Sequence, residues 1–280
     1  MTSEVMPTCT RARYPVGMPA TATVGPLLRR WRTARGLSQL ALAEQAEVST
    51  RHISYVENGR SQPSREMVLV LASALDVPLR ERNALLVAAG FAPVYRESGI
   101  AEPQMSHVRR ALDLIMERQE PFPAIVVDRG WNLVMSNKGA QRMLAHAPPD
   151  YAALGAHARN ALHLLFHPMG MRRFVVNWEE VSRVLVARLA REAQADEELG
   201  SLVASLMAYP GMPQAFREPA PADANQVMVP MHTRNDGVEL RLFTTVTTLG
   251  TPMDITAQEL RIECYYPADE ATEAWFLADA

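Results

Sequence analysis

The sequence predicts two domains of different fold class. The first is an all-α domain of five short helices, and the second is an α+β domain with an antiparallel sheet of about five strands and helices on one face. Apolar residues recur with helical spacing between residues 24 and 89, whereas β-rich runs begin only after Pro121 and return after residue 226. The length of 280 residues exceeds the roughly 100–200 residues that one core usually organises.

Composition excludes several classes of protein. With 48% hydrophobic and 21% charged residues, the chain resembles neither a disordered nor a fibrous protein. Its two cysteines are too few for a disulfide framework or a thiolate zinc site. The sequence contains no apolar run suited to a membrane span or a secretory signal. We therefore expect a cytoplasmic protein that does not bind membranes.

Charge is distributed unevenly between the two predicted domains. The whole chain has a net charge of −3, but residues 21–93 contain nine arginines and six acids, a net of +3. Residues 94–280 contain 17 basic and 24 acidic side chains, a net of −7. A basic first domain is suited to phosphate, and an acidic second domain suggests a different task.

The first domain is predicted over residues 23–93, after a disordered lead-in of residues 1–22. Its helices begin after residues whose hydroxyl groups can cap a helix N-terminus, namely Ser38, Ser49 and Ser64. Pro78 opens a fifth helix that ends before Gly90. Five helices in about 70 residues form a small bundle.

The second domain is predicted over residues 121–280, after a linker and connecting helix at residues 94–120. A turn signal at Arg129-Gly130 predicts a hairpin. The predicted strands are 124–128, 131–136, 226–234, 238–248 and 258–266. The predicted helices are 137–146, 151–166, 178–193 and 197–208, with a capping box formed by Asn177 and Glu180.

The second and third helices have the spacing of a helix-turn-helix motif. On a helical wheel of residues 49–58, Ile53 and Val56 lie on one face and Arg51, Ser54 and Tyr55 on the other, with Thr50 at the exposed end. An arginine in this place can make a bidentate contact to a guanine edge. The outward residues therefore predict a helix that reads the DNA major groove.

The spacing LSQ…LA…VS…I…ENGR…PS, from Leu37 to Ser64, closely resembles the lambda-repressor-like XRE family of helix-turn-helix regulators. The resemblance implies that Gln39 caps helix two or reaches DNA, and that Asn58 and Arg60 hold phosphates. We expect double-stranded DNA as partner and a homodimer on a palindromic operator. The candidate DNA-binding residues are Gln39, Ser49, Thr50, Arg51, Ser54, Tyr55, Asn58 and Arg60.

The second domain resembles the MmyB-like ligand-binding domain found behind such motifs. The likeness rests on the stretches 121–132, 160–166, 177–180 and 248–263. It implies a PAS-like fold and a pocket for fatty-acid-type ligands, and we expect no other cofactor. We expect apolar and aromatic residues to line the cavity for such a ligand, and a cation or an amide to bind its carboxylate. The candidates are Trp131, Met135, Phe166, Met171, Arg172, Arg173, Phe174, Asn177, Trp178, Phe243 and Tyr265.

Other interpretations remain open on the sequence alone. The helical domain could be a protein-docking module, attached to a small-molecule enzyme or a ligand carrier. His163 and His167 have the i, i+4 spacing of a metal site, but no third ligand lies nearby, so we expect no metal. No nucleophile elbow, P-loop or dinucleotide motif occurs, and we expect no enzyme.

Overall fold

The computed structural model describes residues 23–193, 196–212 and 228–278. The predicted lead-in and the first two residues of the predicted strand 226–234 lie outside these ranges. In the part of the chain that the structure describes, no helix is long and apolar enough to cross a membrane.

The predicted bundle of five helices is confirmed. Ser38, Ser49 and Ser64 each accept a hydrogen bond from a backbone N–H of the next turn, as their sequence positions predict. Gly25 lets the first and third helices approach closely, since a Cβ there would lie 2.5 Å from the Val56 carbonyl oxygen. The helices are α1 (Val24–Ala34), α2 (Gln39–Gln45), α3 (Thr50–Glu57), α4 (Arg65–Ala74) and α5 (Leu79–Ala88).

The α+β domain is also confirmed, with a five-stranded antiparallel sheet. The chain continues as α6 (Ser106–Gln119), β1 (Ala124–Val127), β2 (Leu133–Ser136), α7 (Lys138–His146), α8 (Tyr151–Leu154), α9 (Ala161–Phe166), α10 (Trp178–Glu192), α11 (Glu197–Met207), β3 (Met231–Asn235), β4 (Val238–Thr247), α12 (Ile255–Glu259), β5 (Arg261–Pro267) and α13 (Glu270–Leu277). The strand order β2-β1-β5-β4-β3 places the last strand at the centre, between the hairpin β1–β2 and the hairpin β3–β4.

Helices α9, α10 and α11 pack on the face of the sheet that carries Ile125 and Val127. All four residues of β1 are buried, so this strand is covered on its second face as well, and α6 packs against it. The sequence indicated cover on one face only. A strand buried on both faces shows a continuous apolar run rather than alternation, as in Ala124–Val127.

One predicted helix is wrong in extent. Residues 151–166 form α8, a 3-10 turn over Gly155–Arg159, and α9 instead of one continuous helix. Gly155 has a φ of 53°, which ends α8, and the Asn160 side chain caps α9 by accepting from the N–H groups of Leu162 and His163. The hydrogen bonds by which an Asn side chain caps a new helix compete with the backbone hydrogen bonds that would continue the preceding helix.

The chain divides into two compact units whose boundaries differ from simple sequence order. The helical unit contains the described residues up to Glu102 together with Gly250–Gln258. Within this unit the Gln258 side chain accepts a hydrogen bond of 2.7 Å from the Leu79 N–H. This N–H lies in the first turn of α5 and has no acceptor within the helix. The other unit contains Pro103–Leu249 and the chain from Glu259 onward.

Candidate nucleic-acid interface and apolar cavity

Helix α3 is held in the bundle by its inner face. Ile53 and Val56 are each 1% exposed and belong to the core formed by α1–α5. On the opposite side Arg51 is exposed, and Thr50, Ser54 and Tyr55 are half-buried. The structure therefore brings together the outward residues that the wheel grouped, on a helix whose rotation is set by buried side chains.

Arg51 is ordered by its neighbour one turn along. Its Nε donates a 2.9 Å hydrogen bond to the Tyr55 hydroxyl, and its guanidinium carbon lies 5.1 Å from the centre of the Tyr55 ring. No described residue bonds the terminal Nη groups, which can therefore meet a planar acceptor pair. Pre-ordering lowers the conformational entropy that the side chain loses on binding.

Ser49, Gln39 and Asn58 have structural roles in addition to any DNA contact. Ser49 caps α3 through the His52 N–H. Ser38 and not Gln39 caps α2, so the capping role expected for Gln39 is wrong. The Gln39 amide instead donates a 2.8 Å hydrogen bond to a carboxylate oxygen of Glu57. Asn58 ends α3 and donates from its amide to the Ser54 carbonyl oxygen.

Arg60 is exposed and follows Gly59, whose φ of 70° turns the chain after α3. Its backbone N–H donates to the Tyr55 carbonyl oxygen at 2.8 Å, which secures the turn. The side chain is therefore presented from a fixed backbone, as a phosphate contact requires.

A buried ion pair fastens α1 to α3. Arg32 donates from Nε and Nη2 to the two oxygens of Glu57, at 2.6 and 3.0 Å. The Glu57 side chain is 2% exposed and that of Arg32 is 10% exposed. Burial by itself would raise the pKa of Glu57, but hydrogen bonds from Arg32 and Gln39 outweigh it and hold that pKa below its usual range.

The second unit contains an apolar cavity of about 210 Å³ between the sheet and its helices. Its walls come from all five strands of the sheet on one side and from α7, α9 and α10 on the other. Most of the lining is aliphatic. The apolar lining includes Ile125, Leu133, Ala140, Met143, Leu144, Leu162, Leu164, Leu165, Val181, Val184, Leu185, Met231 and Leu242.

Of the predicted ligand-binding residues, Trp131, Met171 and Tyr265 line this cavity. Met135 does not, because a β-bulge interrupts the alternation of β2. Val126 pairs with Met135 while Val127 pairs with Leu133, so Leu133 and Met135 point to opposite faces. Phe243 lies one residue from the cavity residue Thr244 and stacks on Tyr266 instead.

The other predicted ligand-binding residues lie outside the cavity lining. Phe166 is fully buried and packs edge-on against Trp178 at 5.1 Å. Arg172 is predicted from the sequence to bind the ligand carboxylate. Its guanidinium instead donates to the backbone carbonyl oxygens of Pro210 and Gly211. Arg173 likewise donates to the Pro148 carbonyl oxygen, and its guanidinium lies over the half-buried Phe174.

The predicted capping role of Asn177 is wrong. Its side chain makes no cap hydrogen bond to α10. Instead the amide donates to Glu180 and to the Pro230 carbonyl oxygen, and its oxygen accepts from the His232 N–H. Asn177 therefore ties the start of α10 to β3, a long-range role that local spacing does not reveal.

The polar end of the cavity is formed by residues that the sequence analysis did not select. Arg188 from α10 and Glu263 from β5 both line it, and their closest charged atoms lie 3.9 Å apart. The Tyr265 hydroxyl donates to Glu263 at 3.1 Å. An acidic residue between two apolar residues of a predicted strand, as in Ile262-Glu263-Cys264, is the signal that could have identified Glu263.

The histidines with metal-like spacing have other partners. His163 Nδ1 lies 2.7 Å from the Tyr209 hydroxyl, and the ring of His167 packs edge-on against Tyr209. Burial lowers the pKa of His163 to about 4, so it is neutral at pH 7. Among the described residues, no group of three or more His, Cys, Asp or Glu side chains is arranged to hold a metal ion.

Comparison with known families matches residues 108–277 to the MmyB-like transcription regulator ligand-binding domain. The chain belongs to this family. Residues 24–85 match a helix-turn-helix domain model, which covers α1–α5 apart from the last turn. The two matches divide the chain as its fold does, into a helical bundle and an α+β domain.

Transcriptional regulator ClgR of Mycobacterium tuberculosis, in strains CDC 1551 / Oshkosh and H37Rv, is 34% identical over 67 residues. The alignment covers 24% of this chain and 57% of ClgR, so the chain spans just over half the length of these relatives. A solved RNA-binding light-oxygen-voltage receptor aligns over 93% of this chain and 64% of its own, with 13% identity and a TM-score of 0.24. A likeness of that size supports no conclusion about fold or function.

Proposed function

We propose that this family member is a DNA-binding transcriptional regulator whose second domain senses a small apolar ligand. The observation that carries the DNA-binding half is the outward face of α3, where Arg51 is held by Tyr55 on a helix locked by Ile53 and Val56. This side-chain set is suited to base edges in a major groove. One such motif reads few bases, so we propose a homodimer on a palindromic operator.

Salt dependence of DNA binding tests this proposal against the docking-module alternative. The full chain is titrated with double-stranded operator-length DNA at increasing salt concentration. Phosphate contacts release counterions, so we expect the logarithm of the binding constant to fall steeply and linearly with the logarithm of salt concentration. A protein that binds no DNA at low salt would instead fit a docking domain.

We further propose that the ligand is an acyl chain, as in a fatty acid, held in a PAS-like domain. The support is the cavity of about 210 Å³, whose lining is mostly aliphatic and whose charged residues lie at one end. Apolar walls with a few convergent polar groups are typical of ligand sites. Since Arg172 and Arg173 are bound to backbone carbonyls, Arg188 replaces them as the cation nearest a bound carboxylate.

Thermal shift with saturated fatty acids of increasing length tests the acyl ligand. Each added methylene buries further apolar surface, so the gain in Tm should rise with length and then fall once the cavity is full. Val184→Trp narrows the open edge of the cavity and should move the optimum to shorter acids. Val176→Trp is the matched control, because Val176 is similarly exposed, 48% against 49%, but does not line the cavity. A flat series would exclude acyl ligands.

A further inference from the structure

The cavity contains a buried hydrogen-bond donor without an acceptor. Trp131 is 2% exposed and lines the cavity, and its indole Nε1–H has no hydrogen-bond partner among the described residues. Buried indole N–H groups normally find a partner. This nitrogen is covered by neighbouring atoms, so an acceptor on a bound molecule would satisfy the donor by displacing them.

Trp131 is held in an unusual position. Its backbone φ is 64°, a conformation that side-chain-bearing residues rarely adopt. The guanidinium carbons of Arg188 and Arg261 each lie 5.4 Å from the ring centre, and both arginines are bound to Glu192. Strained backbone that the surroundings maintain is concentrated at binding sites. The indole is thus fixed before any ligand arrives.

Glu263 lies at the same end of the cavity. It is opposite Ile125 of β1, a cavity residue, and it is only 7% exposed. In the described part of the chain the carboxyl group of Glu263 accepts one hydrogen bond, from the Tyr265 hydroxyl, and the nearest nitrogen of Arg188 is 3.9 Å away. That distance is beyond hydrogen-bond range, and the Nε of Arg188 is already bound to Glu192. A second group can therefore bond to the Glu263 carboxyl.

We propose that Trp131 and Glu263 form the head-group site of this cavity, in which the carboxyl group of a bound acid shares one proton with Glu263 and accepts from the Trp131 Nε1–H. This inference rests on the proposed acyl ligand and adds that its binding is coupled to a proton. Two carboxylates in contact repel, so the pair holds a single proton, taken from water if Glu263 is ionised beforehand. No covalent bond changes.

The charged groups that face Glu263 are Arg188 and Glu192 of α10 and Arg261 of its own strand, and the titratable hydroxyl of Tyr265 faces it as well. Burial, only partly offset by Arg188 and the Tyr265 hydroxyl, raises the pKa of Glu263. Burial also raises the pKa of Tyr265, so it stays a neutral donor. Above the pKa of Glu263 the free protein must take up a proton to bind an acid, and affinity falls as pH rises.

The test is the Kd of decanoic acid for the full chain between pH 6 and 9. We expect Kd to rise with pH, by up to about tenfold per pH unit, where the pH exceeds the pKa of Glu263. Decan-1-ol, which has no ionisable head, should show a flat profile. Glu263→Gln removes the titrating group, so its decanoate Kd should be flat and lower than that of the original chain at pH 9. Parallel slopes for the two proteins would overturn the proposal.

Trp131→Phe tests the donor separately, because it keeps an aromatic ring and removes the N–H. We expect weaker decanoate binding at every pH with an unchanged slope, and equal affinity would exclude the indole as a partner. Circular dichroism and Tm establish that each variant is folded. If decanoate and its longer homologues bind at no pH, the acyl ligand itself is excluded. If they bind with a flat profile, only the shared proton is excluded.

Discussion

Glu57→Ala is expected to lower the free energy of unfolding of the helical unit by about 3–5 kcal/mol, because it leaves the buried charge of Arg32 without its carboxylate partner. The variant also removes the acceptor of the Gln39 amide. Urea denaturation at pH 7 measures the effect. It should be accompanied by weaker DNA binding, since the pair joins α1 to α3.

Two variants control for this result. Glu97→Ala removes a more exposed pair with Arg80 and should cost no more than about 1 kcal/mol. The double variant Arg32→Met, Glu57→Leu removes both buried charges and should recover most of the lost stability. Folding lowers the pKa of Glu57. The stability contributed by its carboxylate is therefore present above the pKa that Glu57 has in the unfolded chain. This stability is lost as the pH falls through the pKa that Glu57 has in the folded protein. An effect below 1 kcal/mol for Glu57→Ala would contradict the prediction.

Arg51→Ala is expected to remove roughly 1–3 kcal/mol of base discrimination, about a 5- to 150-fold loss of preference for the operator over unrelated DNA. The reason is that Arg51 is the exposed, pre-ordered cation on the outer face of α3. Competition binding with the operator and a scrambled duplex measures the ratio. Arg60→Ala should weaken binding to both duplexes alike and reduce the salt slope.

Tyr55→Phe refines the same experiment. It keeps the ring beneath Arg51 but removes the hydroxyl that binds Nε, so discrimination should fall less than in Arg51→Ala. If Arg51→Ala retained the full preference for the operator, α3 would not be the reading helix.

Local sequence patterns were sufficient to predict most of the helical domain. Capping residues, helical spacing and turn glycines act over four or five residues, so Ser38, Ser49 and Ser64 could be recognised one at a time. The same reasoning missed α13, although Asp269 caps it and Glu270 and Glu273 lie in its first turn. It also joined α8 to α9, because an apolar pattern does not show that Asn160 starts a new helix.

The sequence alone determined the class of each domain, the helix α3 and the residues on its outer face, because each follows from the periodicity of a short segment. Tertiary structure alone decided the polar end of the cavity. Trp131 lies in the turn between β1 and β2, Arg188 on α10 and Glu263 on β5. They meet only because β5 pairs with β1 across more than a hundred residues. The bulge that turns Met135 away depends on the same pairing. Such contacts depend on register and packing between distant segments, which no local pattern specifies.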